Sequence, residues 1–224
     1  MRRALLNSSL SIFFGVLFLL TLAGQSVAGH RSFNEEQMQH GSPTISYPGY
    51  LVSSDFGEAV VENWQSEYLQ FTFFILATVW LIQRGSNESK KPEEAGLESD
   101  QQQLIGEHAQ QNSPRWAKLG GWRTLLYSNS LVLVMLIIFL GSWLAQSLTG
   151  WSEYNQNQKD HDEPAVAWAT YLVRADFWEK TLQNWQSEFL AVGTMAVFTI
   201  YLRQRGSPES KPVGAPHNET GTSG

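Results

Sequence analysis

Two short runs of the sequence hold an amide and a carboxylate at helical spacing. Asn63 precedes Glu67 by four residues, and Asn184 precedes Glu188 by the same interval, so each pair would share one face of an α-helix. A carboxylate inside a membrane is costly unless it faces a partner, water or a cavity, and beside an amide it is suited to holding a cation or passing a proton. If the two runs meet, the four side chains predict a binding site for an ion or a proton.

Two other roles stay open for these four side chains. They would fix helix packing if they hydrogen-bonded to polar groups of neighbouring helices, for which the sequence offers Gln25, Ser26, Gln146 and Ser147. They would have no binding role if they extended to water at the membrane surface. Transport and packing are therefore competing interpretations of the same residues.

Both runs belong to an internal duplication. Residues 2–90 align with residues 123–211 at a constant offset of 121 without a gap, and 34 of these 89 pairs are identical. The longest run of identical residues is Asn-Trp-Gln-Ser-Glu, at 63–67 and 184–188. A run of four, Gln-Arg-Gly-Ser, occurs at 83–86 and 204–207. Agreement of this density indicates a repeated structural unit.

The segment between the two copies is polar and rich in Glu, Gln and Ser, and the tail after the second copy is short and polar. Such composition cannot bury enough apolar surface to fold alone. We predict a first two-span repeat at 1–90, a disordered cytoplasmic linker at 91–121, a second two-span repeat at 122–211 and a disordered tail at 212–224.

Each copy holds one long and one short apolar segment. Residues 10–28 and 131–148 contain 19 and 18 residues without a charge, which is long enough to cross a bilayer. Shorter uncharged segments follow at 68–83 and 189–202. The first long segment resembles a secretory signal, but its counterpart lies in mid-chain, so we expect it to be retained. The predicted fold class is an all-α membrane protein with four transmembrane helices as two tandem parallel two-helix repeats.

The short spans carry signals for a helix start and a helix end. Asp55 and Asp176 are each followed three residues later by Glu, which is the spacing of an N-cap and its reciprocal partner. Gly85 and Gly206 each follow an Arg, as at many helix C-termini. We therefore predict one long helix of about 28 residues in the second half of each repeat.

The basic residues predict the orientation. With both termini in the cytoplasm, eleven of the 15 Lys and Arg residues lie on the cytoplasmic side, while thirteen of the 21 acidic residues lie in the two outer loops. Lys and Arg near membrane segments are retained in the cytoplasm, so this arrangement is the expected one.

Composition excludes several classes of function. The net charge of −6 argues against a nucleic-acid partner, and the absence of cysteine excludes thiolate metal sites and cysteine nucleophiles. Glu36 and His40 have a spacing that suits metal ligation, but Asn157 replaces Glu36 in the second copy, so no metal site is predicted. Without a nucleophile or phosphate-binding motif, we expect neither an enzyme nor a cofactor.

Four segments resemble a family of uncharacterised bacterial multi-pass membrane proteins, which is a domain of unknown function. They lie at 62–69, 183–190 and 203–212, and at 30–37, where the sequence is His-Arg-Ser-Phe-Asn-Glu-Glu-Gln. The resemblance covers nearly the whole chain except the linker. It implies a location in the bacterial cytoplasmic (inner) membrane, and it brings no activity, substrate or functional residue.

These observations predict an integral membrane protein, either a small ion- or proton-coupled transporter or a channel subunit that uses Glu67 and Glu188. The alternative is a non-catalytic envelope scaffold or interaction protein whose loops contact external partners. The lipid bilayer is an expected partner in both cases. Because two-helix repeats leave little room for a substrate cavity in one chain, transport would also require a homo-oligomer.

Overall fold

The computed structural model describes residues 6–221, and within that range the chain forms helices and no strand. In chain order the α-helices are α1 (Ser9–Gln39), α2 (Tyr47–Leu51), α3 (Ser54–Trp80), α4 (Arg115–Leu119), α5 (Gly121–Ser128), α6 (Ser130–Asp160), α7 (Trp168–Tyr171) and α8 (Ala175–Tyr201). The all-helical class is confirmed. Arg2, Arg3 and both termini, which entered the predicted orientation, lie outside the described residues.

The helices α1 and α6 contain the two long apolar segments. Each has 31 residues and is therefore about 46 Å long. Among the described residues, these two helices are long and apolar enough to cross a membrane. Only 6% of the most apolar part of α1 and 22% of that of α6 are buried within the protein. Two of the four predicted spans thus have the required length and composition.

The other two predicted spans lie in α3 and α8, which have 27 residues each. Both helices begin with a polar half that contains the Asn/Glu pairs. Their uncharged ends, residues 68–80 and 189–201, contribute 13 helical residues each, or about 20 Å, whereas a hydrocarbon core measures about 30 Å. These apolar segments alone cover only part of a bilayer.

The start of α3 differs from the prediction. The hydroxyl Oγ of Ser53 accepts the amide N–H of Phe56 at 3.3 Å, so Ser53, and not Asp55, caps this helix. Asp55 lies in the first turn, where its carboxylate faces the positive end of the helix dipole. The helix also ends at Trp80, five residues before the predicted Gly85.

One unit of the structure consists of Met1–Val60 and Ala145–Trp168. After α1 the chain turns back, and the amide of Asn34 holds the backbone of Ile45 through two hydrogen bonds of 2.9 and 3.0 Å. Tyr50 is buried with its ring 5.8 Å from that of Phe33 and 5.5 Å from that of Phe56. This loop is therefore a packed structure.

The loop after α6 closes in the same way at positions 121 residues later. Asn155 holds the backbone of Val166 through two hydrogen bonds of 2.8 and 3.0 Å. The indole of Trp168 donates to the hydroxyl of Ser147 at 3.2 Å, where the first loop joins the hydroxyls of Ser26 and Tyr47 at 2.7 Å. An asparagine clamp thus fixes each loop.

A second unit consists of Val61–Leu144 and Ala169–Gly224. The ring of Trp143 is its aromatic centre, with four other aromatic rings between 5.8 and 6.1 Å away, those of Phe139, Phe177, Trp178 and Trp185. Aromatic pairs at this spacing stabilise a core beyond the area that they bury. This cluster ties the middle of α6 to α8.

The predicted linker contains local structure. Two short 3₁₀ helices, Pro92–Glu94 and Gly106–His108, precede α4, and Lys90 pairs with Glu98 at 2.7 Å. Turns closed by local hydrogen bonds, which need no apolar core, account for this structure, and the disorder predicted for 91–121 stays a prediction. The boundaries of the two predicted repeats stay predictions.

Candidate functional site

The helices α3 and α8 lie side by side and run in the same direction. Near their starts, the indole of Trp185 donates to Gln65 Oε1 at 2.7 Å. Further along, the rings of Phe73 and Phe189 pack 6.0 Å apart. Early residues of one helix thus contact early residues of the other, and later residues contact later ones. Parallel packing places the two Asn/Glu runs at the same level.

The two predicted carboxylates are brought together. Glu67 on α3 and Glu188 on α8 are close enough for their charges to interact. Glu188 is half-buried and Glu67 is exposed at the protein surface. A proton or a cation between them would relieve the repulsion of two like charges, which is the chemistry predicted for these positions.

The two predicted amides behave differently. Asn184 is half-buried, and its Nδ2 donates to Glu62 Oε1 at 2.7 Å and to the Lys180 carbonyl at 3.0 Å. Asn63 is exposed. The amide of Asn184 is therefore bound to an acid outside the predicted four, and Glu62 joins the candidate site.

Three of the four polar residues of the packing interpretation have hydrogen-bond partners of their own. Gln25 donates to the Ala59 carbonyl at 3.2 Å, and Ser26 bonds Tyr47. Ser147 accepts from Trp168. Gln146 is buried, and neither of its side-chain polar atoms has a hydrogen-bond partner among the described residues. These three hydrogen bonds therefore go to neighbouring loop or helix groups.

Sequence reasoning missed Gln65 although it lies inside the repeated Asn-Trp-Gln-Ser-Glu run. Its side chain is fully buried, and its Nε2 has no hydrogen-bond partner within residues 6–221. The Nε1 of Trp143 and the Oγ1 of Thr181 in the same unit are also buried without a partner in that range. Buried polar atoms are normally satisfied, so unpaired ones indicate bound water or a ligand.

A repeated turn follows each of these two helices, at residues 83–90 and 204–211. In each turn one serine hydroxyl accepts the N–H two residues later, and a second accepts the N–H six residues earlier. The four bonds measure 2.9 to 3.2 Å and run from Glu88 N to Ser86 Oγ, Gln83 N to Ser89 Oγ, Glu209 N to Ser207 Oγ and Gln204 N to Ser210 Oγ. The turns also touch, since Asn87 Nδ2 donates to the Pro208 carbonyl at 3.2 Å.

The described part of the chain after the second turn folds back on the first turn, and the disorder predicted for the tail stays a prediction. The ammonium of Lys211, which is 1% exposed, donates at 2.7 to 3.1 Å to four backbone carbonyls, those of Gly85, Pro216, His217 and Glu219. Burial and the nearby guanidinium of Arg203 lower the pKa of Lys211, and the carboxylate of Glu219 raises it. Lys211 thus fastens the described part of the tail to the turn.

The first turn requires glycine at one position. Gly85 has a φ of +87°, and a Cβ there would collide with the His217 carbonyl. The amide of Gly85 donates to Thr220 Oγ1 at 2.8 Å, which is a further contact to the tail. Gly206 has a similar φ of +81° in the second turn.

Over residues 1–222 the chain matches the family model described as Domain of unknown function (DUF6766). The chain belongs to this family. No curated protein and no solved structure matches it. Membership confirms the resemblance to a domain of unknown function. For this DUF6766 chain, functional inference therefore depends on the parallel helices α3 and α8 and on the turns that follow them.

Proposed function

We propose that the chain is a multi-pass membrane protein with four spans in two tandem parallel repeats. The exposed apolar surface of α1 and α6 supports this proposal, since large apolar surfaces require lipid or a partner. Helices of equal length also begin 121 residues apart, at Ser9 and Ser130 and again at Ser54 and Ala175. Parallel packing of α3 with α8 is what two repeats of the same orientation would produce.

The proposed location is the bacterial cytoplasmic membrane, with both termini in the cytoplasm. The excess of Lys and Arg in the proposed cytoplasmic segments supports this orientation. Reporter fusions at Gly224 and at His40 test it and are expected to report opposite compartments. Reporters in the same compartment, or extraction of the intact chain by a carbonate wash, would contradict the proposal.

Within this membrane protein, we infer an ion- or proton-coupled activity of a transporter or channel subunit. The observation that carries the inference is the parallel packing of α3 and α8, which places Glu67 and Glu188 at the same level of two neighbouring helices. Two neighbouring carboxylates favour a shared proton or a bound cation. The unpaired amide N–H of the buried Gln65, two residues before Glu67, supports a path for water at this level. A homo-oligomer would provide space for a substrate pathway, which a single chain of four helices lacks.

Flux measurements in liposomes test this activity. The purified chain is reconstituted, and proton entry is followed with an enclosed pH-sensitive dye under an imposed potential. We expect the double variant Glu67→Gln, Glu188→Gln to lower the flux by about tenfold or more, because the amides cannot release a proton.

The matched control is the double variant Glu93→Gln, Glu107→Gln. It removes two charges at exposed positions outside α3 and α8 and is expected to keep the wild-type flux. Equal flux in all three proteins, or no flux above empty liposomes in the wild type, would overturn the proposed activity.

A second candidate function is that of a non-catalytic envelope scaffold or interaction protein. The clamps at Asn34 and Asn155 favour it, because they give both loops a defined surface that a partner could recognise. Cross-linking from the loop position Ser42 in intact cells tests this role. A specific cross-linked envelope partner, combined with absent flux in liposomes, would favour the scaffold over the transporter.

A further inference from the structure

A cavity of about 220 Å³ lies between the later parts of α3 and α8. Its walls are mainly apolar, with Phe71 and Phe74 from one helix and Val192 and Met195 from the other. Gln70 and Ala191 complete the helix contribution. The cavity is therefore an apolar pocket between two parallel helices, separate from the predicted Asn/Glu pairs.

Two carboxylates from the repeated turns also line this cavity. Glu88 comes from the turn after α3, and Glu209 comes from the turn after α8, 121 residues later. Each turn holds its glutamate by a bond from the glutamate N–H to a serine hydroxyl, that of Ser86 or Ser207. Both copies of the turn thus deliver an acid to the same apolar cavity.

The acid of the first turn lacks a partner. Glu88 is half-buried, and its Oε1 is a buried atom that accepts no hydrogen bond within the described chain. A buried carboxylate oxygen normally accepts a hydrogen bond, and leaving one unpaired is expensive. Glu88 and Glu209 therefore bring two carboxyl groups to the lining of an otherwise mainly apolar space.

We propose that this cavity binds a small lipophilic cation, with its apolar body between Phe74 and Met195 and its charged nitrogen at Glu88 and Glu209. An apolar pocket with a few polar groups at one end binds ligands that have an apolar body and a polar group at one end. A cavity of about 150 Å³ holds benzene, so this volume accommodates an aromatic ring with a small ammonium group. Aromatic walls also attract a cation that enters along their faces.

The cavity and the predicted acids use different residues. The inference concerns binding, and it holds whether or not Glu67 and Glu188 support flux. A protein that binds the cation without flux would keep this inference and lose the proposed activity.

Binding is tested on the full-length chain in detergent micelles with benzyltrimethylammonium, a permanent cation with one aromatic ring. Its neutral carbon isostere, neopentylbenzene, has nearly the same shape and no charge. Calorimetric titration is expected to give saturable binding of the cation about tenfold tighter than that of the isostere, because only the cation pairs with the carboxylates.

Two variants locate the site. Glu88→Gln with Glu209→Gln should weaken binding of the cation by about tenfold and leave the neutral isostere unaffected. Met195→Trp should weaken both ligands, because it fills the cavity without changing any charge. The control pair Glu93→Gln, Glu107→Gln lowers the negative charge equally at positions outside the cavity and should bind as the wild type does.

Equal affinity for the cation and the isostere would overturn the proposal, since it would indicate partition into the micelle. Unchanged affinity in folded Met195→Trp protein would do the same, and this variant keeps the test valid if the double glutamine variant fails to fold. Size-exclusion profiles establish which variants are folded.

Discussion

The indole N–H of Trp185 donates to Gln65 Oε1 at 2.7 Å, and this bond joins α8 to α3 inside the second unit. Gln65 is fully buried there. The ring of Trp185 packs 6.3 Å from Phe139 and 6.0 Å from Trp143. The bond is thus a polar contact within an aromatic cluster, two residues before Glu67 on α3 and three residues before Glu188 on α8.

Replacing Trp185 with Phe should destabilise the protein by about 1–3 kcal/mol, because Gln65 would then be buried with one more unpaired atom. Thermal unfolding in detergent, followed by circular dichroism, measures the change. In a Gln65→Leu background the same replacement should cost clearly less, since no amide remains to be orphaned. Equal losses in both backgrounds would show that the ring packing matters and that the hydrogen bond does not.

We expect the hydrogen bonds of Lys211 to stabilise the described part of the tail more than any other contact there does. Lys211→Met removes the donor to four backbone carbonyls, and we expect a loss of about 2–4 kcal/mol together with faster proteolysis after residue 211. The matched control is Lys90→Met, at the equivalent position of the first turn. Lys90 bonds one carbonyl, that of Gly96, and a partly exposed Glu98, so its loss should cost less than about 1 kcal/mol. Similar losses for both variants would contradict a special role for the Lys211 contacts.

The sequence predicted the long helices well because uncharged runs of 18 or 19 residues have few alternatives to an α-helix. It placed their ends poorly. The helix α1 continues through a polar segment to Gln39, where hydropathy carries no signal, and stops shortly before Gly41 with its φ of +69°. The end of α3 at Trp80 lies before a turn whose Gly85 bonds the distant Thr220. A contact over 135 residues has no local signature.

Only part of the candidate site could be predicted, again because some of its contacts have no local signature in the sequence. The repeat placed Glu67 and Glu188 at equivalent positions, and parallel packing brings their charges together. Symmetry could not predict that Asn184 would bond Glu62, since the second copy has Gln183 at the equivalent position. Glu88 and Glu209 were identical in the alignment, but only the fold of the turns carries them to a cavity.

The two loop clamps should contribute equally to stability. Asn34→Ala and Asn155→Ala each remove two hydrogen bonds to a backbone segment, so each should cost about 1–3 kcal/mol. Asn157→Ala is the control two residues further along α6, because the backbone carbonyl of Asn157 makes its hydrogen bonds and is retained. The hydrogen-exchange rates of the Ile45 and Val166 amides measure whether each clamp is intact, because these amides are the donors to Asn34 and Asn155. Slow exchange at Ile45 in Asn34→Ala protein would refute the clamp.

The carboxyl of Glu88 predicts a pH dependence of stability. Burial, and then the negative charge of Glu209, raise the pKa of Glu88 above its ordinary value of 4.5. The folded protein therefore holds this proton more tightly than the unfolded chain does. The stabilising contribution is fully present below the unfolded pKa and is lost as the pH rises through the folded pKa. Lys90 and Glu94, which line the neighbouring surface pocket with Glu88, are unchanged in the test below.

Glu88→Gln should consequently raise the unfolding temperature at about pH 8 and have a smaller effect at about pH 4, where the wild-type carboxyl is neutral. Unfolding temperatures measured across that range give the difference at each pH. Glu209→Gln removes the second cause of the raised pKa and should shift the wild-type profile in the same direction by less. Glu107→Gln, at an exposed position, should leave the profile unchanged. A gap between wild type and Glu88→Gln that stays constant from acid to neutral pH would mean that the carboxyl titrates alike in the folded and unfolded chain.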